Sequence, residues 1–82
     1  MEIAFGQGGA EAEGIALFRD GKYAESADAL QNVVAAERTN KRAWLYLGAA
    51  QLKLGHRADA AKAFLRSVFD AEDIKKERTH YD

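Results

Sequence analysis

The chain has 82 residues, among them two histidines, His56 and His80, and no cysteine. A metal site needs several convergent ligands, and neither histidine has a second histidine, a cysteine or a ligand-spaced carboxylate beside it. Both therefore read as solvent-exposed side chains. Without cysteine there is no disulfide and no thiolate site, and two isolated histidines do not assemble into a nucleophile–base–orienter set. Carboxylates are plentiful, but Glu11, Glu13, Glu25, Asp28, Asp59 and Glu77 are spread along the sequence. Acid–base work needs a paired, partly buried site that drives two pKa values apart. The glycine-rich start "GQGGAEAEG" (Gly6 to Gly14) has the look of a phosphate loop, yet no Lys-Ser or Lys-Thr follows, and the G-x-G-x-x-G pattern fails at Glu11. No catalytic residue, metal or cofactor is expected.

Charge gives no stronger signal. The net charge is −1, and the small basic cluster Lys75, Lys76 and Arg78 is diluted by Glu72, Asp73, Glu77 and Asp82. Nucleic-acid binding rests on clustered lysine and arginine, so none is expected. No apolar run is long enough to span a bilayer, and no basic start leads into an apolar stretch. A cytoplasmic protein follows as the default expectation. A chain this short buries roughly 60–65% of its unfolded surface and has a thin core.

The absence of proline and the abundance of Ala, Leu, Glu, Lys and Arg predict an all-α chain. Residues 1–9 have no helical period and read as a flexible leader. A first helix begins near Ala10, puts Ile15 and Phe18 on one face with Ala12 a turn earlier, and is interrupted at Asp20-Gly21. A second runs from about Tyr23 to Ala36 on a stripe of Ala27, Leu30, Val33 and Val34. Asn40 or Thr39 can cap the third, which runs from about Lys41 to Leu54 and stops at Gly55. A fourth, from about Arg57 to Asp70, is expected to turn Ala61, Phe64 (or Leu65) and Val68 inward. In the tail, Asp73 can cap a short fifth helix with Ile74 and Tyr81 on one side, or the fourth helix continues; the break is favoured.

The helix pairs recur. Gly14 matches Gly48, Gly21 matches Gly55, Ala24, Ala27 and Ala29 match Ala58, Ala61 and Ala63, Glu25 matches Asp59, and Leu30 matches Phe64, all at one constant offset. A period of about 34 residues with helix–turn–helix units is the spacing of a tetratricopeptide repeat, and the offset here equals it. Trp44, Leu47 and Gly48 fit the W-x2-L-G start of the repeat, and Ala60 with Phe64 fits its A-x3-F part. The second unit, about 41–74, thus resembles this family. The first, about 7–40, is degenerate: Ala10 stands in place of Trp, Glu13 of Leu and Ser26 of the small Ala. In the second unit Gln51 replaces the usual Tyr, and Glu72 stands where Pro is common.

The resemblance implies antiparallel helix–turn–helix repeats in a right-handed superhelical stack: two repeats over residues 10–74, then a capping helix or tail over residues 75–82. It also implies that Gly48 is a close contact facing Ala60 or Ala61, and that Trp44 packs in the core. In such proteins one side of the first helices lines a concave groove for partner peptides. Here that side carries Ile15, Phe18, Arg19, Arg42, Tyr46, Ala49, Leu52 and Lys53. The family's clamp for chaperone C-terminal carboxylates uses Lys and Asn, where this chain has Glu11, Ile15 and Tyr46, so the resemblance does not extend to it. The expectation is a protein-binding scaffold, adaptor or chaperone that receives a peptide or helix in an apolar groove. The alternative is self-assembly that buries the same face, because two repeats fall below the three usually needed for stability.

Overall fold

The computed structural model describes residues 9–68. These form four helices: α1 (Gly9–Arg19), α2 (Tyr23–Ala36), α3 (Lys41–Lys53) and α4 (Arg57–Val68). No strand occurs among them, and no helix among them is long and apolar enough to cross a membrane. The expected leader, the tail with Asp73, Ile74, His80 and Tyr81, and the basic cluster at 75–78 lie outside the described residues.

Two glycines end α1 and α3 in the same way. Gly21 and Gly55 take φ values of +82° and +84°, a left-handed backbone open to glycine at little cost. The turn lets Gly21 N–H donate to Phe18 O and Lys22 N–H to Leu17 O, at 3.0 and 2.9 Å. One repeat later, Gly55 N–H donates to Leu52 O and His56 N–H to Gln51 O, at 3.0 and 2.9 Å. These paired bonds satisfy the last carbonyls of each helix and reverse the chain, so α1 packs on α2 and α3 on α4. The pairs then stack, α3 lying against α2 and touching α1. Asn40 caps α3, its Oδ1 accepting from Ala43 N–H at 3.0 Å.

The core lies between the pairs. Ala27, Leu30, Val33 and Val34 of α2 meet Ala43, Leu47 and Ala50 of α3 and Ala63 of α4, which places the α2 stripe where its spacing predicts it. Ser26 is fully buried beside them, and its hydroxyl donates to Gly14 O at 2.7 Å. This bond settles the one buried polar side chain among the described residues.

Three expectations need correction. First, α4 turns Ala60 and Ala63 inward, with Phe64 half-buried, while Ala61 is exposed and Leu65 and Val68 are 51% and 60% exposed. The inward stripe is one residue earlier than expected, because α4 is rotated to lay Phe64 over α3. Second, the side chain nearest Gly48 is Phe64, rather than Ala60 or Ala61: a Cβ there would sit 2.7 Å from Phe64 Cδ1 and 2.8 Å from Cε1. Third, Ala12 does not share a buried face with Ile15. It is exposed.

Candidate functional site

The residues expected to line a groove come from α1 and α3, which lie side by side. Phe18, near the end of α1, is the centre of an aromatic cluster. Its ring meets Tyr46 of α3 edge-on, with centroids 5.7 Å apart and planes at 77°. It meets Tyr23, at the start of α2, at 5.4 Å and 62°. Edge-to-face pairs at these distances add to what area burial gives. Lys53 Nζ stands 5.9 Å from the centroid of the Tyr23 ring, within reach of a cation–π attraction. All three rings are half-buried, so each keeps an edge in solvent.

Of the other expected residues, Arg19, Arg42, Leu52 and Lys53 are exposed and Ala49 is half-buried. Arg42 lies 3.8 Å from Glu11 Oε2, and Asn40 Nδ2 donates to Glu11 Oε1 at 3.0 Å. Asn40 Nδ2 also donates to Glu37 Oε1 at 2.9 Å. Glu11 thereby ties the first turn of α1 to the start of α3, at one of the positions where the family's carboxylate clamp would stand. Ile15 is only 5% exposed. It lies beneath this surface and does not offer contact area to a partner. The structure thus brings Phe18, Tyr46 and Lys53 together, and Leu52 and Ala49 stand farther round α3.

Tyr23 was not among the expected residues. The signal for it was the turn: Gly21 reverses the chain just before it, and so returns Tyr23 onto Phe18.

Trp44 is half-buried and packs against the core, as the repeat pattern implies. Its indole N–H donates to Arg38 O at 2.8 Å, and the Arg66 guanidinium lies 5.8 Å from its ring centroid. It lines a cleft of about 310 Å³ walled by α2, α3 and α4, with Gln31, Gln51, Lys62 and Arg66 among the other residues. His56 is exposed, with Nδ1 2.7 Å from Gln51 Oε1. Among the described residues no group of three or more His, Cys, Asp or Glu converges to hold a metal ion.

A family model described as tetratricopeptide repeat matches residues 17–73. Comparisons with curated proteins and with solved structures returned no match.

Proposed function

Because the chain belongs to the tetratricopeptide repeat family, whose members mediate protein–protein interaction and are typically non-catalytic, we propose that it is a binding module with no chemistry of its own, accepting a partner peptide or helix on the α1/α3 face. The observation that carries this reading is the half-buried Phe18–Tyr23–Tyr46 cluster with Lys53 over Tyr23. Rings held edge to face need little reordering on binding, and they offer large contact area at low conformational cost. Phe18, Tyr46, Ala49 and Leu52 would supply the apolar contact. Arg19, Arg42 and Lys53 at the margins would steer a partner with acidic flanks and act mainly on rate and salt response. A scaffold, adaptor or chaperone role in the cytoplasm, without nucleic acid, is the setting that agrees with this surface.

The test is selection of binders from a random-peptide display library against the full chain, followed by measurement of the selected peptides on Tyr46→Ala and Arg42→Ala. The expected result is at least tenfold weaker binding for Tyr46→Ala and a change of a few-fold, reduced by salt, for Arg42→Ala. Binding abolished by Arg42→Ala and untouched by Tyr46→Ala would overturn the reading.

A further inference from the structure

Trp44 and Tyr46 stand two residues apart on α3, about 200° round the helix. The cleft beside Trp44 therefore lies on the opposite flank of α3 from the aromatic cluster. Its volume of about 310 Å³ falls at the lower end of the range for small-ligand sites, about 300–1,000 Å³. Leu47 and Ala63, both buried, give it an apolar lining. The Trp44 ring is held in place by its indole N–H, which donates to Arg38 O at 2.8 Å. The Arg66 guanidinium lies over that ring, 5.8 Å from its centroid. Lys62 stands one turn earlier on α4, and Asp59 one turn before that.

These charges are not spent on the fold. Asp59 and Lys62 are neighbours along α4, yet they do not pair, and neither side chain makes a hydrogen bond or ion pair among the described residues. The internal repeat shows that packing does not require cations here. At the offset that carries Gly14 onto Gly48, Lys62 and Arg66 correspond to Asp28 and Asn32, and Trp44 to Ala10. The first pair folds with an acid and an amide where the second carries two cations. Asp59, by contrast, keeps the acidic type of Glu25.

We infer that this cleft is a second binding site, which takes a carboxylate joined to an aromatic or branched apolar body. The apolar body rests on Leu47 and Ala63 against the Trp44 ring, and Lys62 and Arg66 receive the carboxylate. A guanidinium lying over a ring keeps its planar N–H edge for such a partner. Lys62 and Arg66 against Asp59 leave a net charge of +1, which matches a monoanion. A phosphate ester, with nearly two negative charges at pH 7, would set its excess charge against Asp59. The same chemistry is offered by a small free acid and by the last residue of a peptide. The site shares no residue with the Phe18–Tyr23–Tyr46 cluster and does not depend on the groove.

Trp44 is the one tryptophan of the chain, so its emission reports on the cleft. The experiment titrates the full chain at low salt with 3-phenylpropionate, its primary amide, phenyl phosphate, and acetyl-Gly-Phe with a free or an amidated C-terminus. The expected result is a saturable change with 3-phenylpropionate at a Kd of about 1 mM, as suits a small open site. The amide should bind at least tenfold more weakly. Binding of acetyl-Gly-Phe that is lost on amidation assigns a peptide terminus as a source, and binding of 3-phenylpropionate alone assigns a small acid. Lys62→Glu, an exposed change that leaves the Trp44 ring untouched, should weaken 3-phenylpropionate at least tenfold, and Tyr46→Ala should leave it unchanged. No saturation up to about 20 mM overturns the inference. So does an amide or a phenyl phosphate that binds as well as the acid, or an unchanged Kd in Lys62→Glu. Loss of binding in Tyr46→Ala moves the ligand to the aromatic cluster and overturns it too.

Discussion

Phe64 lies over Gly48 as Leu30 lies over Gly14, so one close helix contact is built twice, once in each repeat. A Cβ on Gly14 would sit 2.7 Å from both Cγ and Cδ2 of Leu30, and one on Gly48 would sit 2.7 Å from Cδ1 of Phe64. Glycine inside a helix costs about 1 kcal/mol relative to alanine. The chain bears that cost twice because the paired helix approaches too closely for a side chain.

The two glycines should not respond alike. Leu30 is fully buried and has nowhere to move, whereas Phe64 is half-buried and can swing outward. Gly14→Ala is expected to destabilise by about 1–3 kcal/mol from overpacking, less the helix-propensity gain. Gly48→Ala is expected to cost less. Gly48→Leu should still destabilise far more than the exposed Lys62→Ala. Urea denaturation midpoints check both comparisons, and equal midpoints for Gly48→Leu and Lys62→Ala would remove Gly48 as a contact point.

Gly55 raises a different issue, since nothing lies within 4 Å of a Cβ placed there. Only the backbone at φ +84° opposes a substitution. Gly55→Ala should cost about 1–2 kcal/mol, and Gly55→Asn less, because asparagine tolerates the left-handed region better. Thermal melts of the two variants would show the order. If alanine is tolerated as well as asparagine, the turn has another conformation.

Asn40 joins three elements through one side chain. It caps α3 through Ala43 N–H and donates to Glu11 of α1 and to Glu37. Asn40→Asp keeps the cap but faces two carboxylates, whereas Asn40→Ala loses the cap, worth about 0.5–2 kcal/mol. Both should lower the melting temperature. Adding Glu11→Gln should restore part of the Asn40→Asp loss and none of the Asn40→Ala loss, which a double-mutant comparison reads directly.

Ser26 occupies the position equivalent to Ala60 and adds a hydroxyl bonded to Gly14 O. Ser26→Ala removes that bond but leaves the carbonyl its place in α1, so the loss should stay near about 1 kcal/mol. Ser26→Leu should be much more damaging, because the site is fully buried. A Ser26→Leu chain as stable as Ser26→Ala would show that α1 and α2 can separate at this point.

Much of the architecture is written in local chemistry. Gly21 and Gly55 mark both helix ends because their conformation is a property of the residue itself. Asn40 announces a cap for the same reason, and the constant repeat offset lets Trp44, Leu47, Gly48, Ala60 and Phe64 identify the stacking. The tertiary structure decided what a single helix leaves undetermined. Ala58, Ala60, Ala61, Ala63, Phe64, Leu65 and Val68 cover most of the circumference of α4, so spacing alone could not choose between a stripe through Ala60 and Ala63 and one through Ala61 and Val68. The choice came from the fit of Phe64 over Gly48. Likewise Ile15 and Phe18 look equivalent along α1, yet the fold buries Ile15 and leaves an edge of Phe18 in solvent. Successive residues lie about 100° apart on a helix, and only the neighbour that arrives in three dimensions determines which of them it covers.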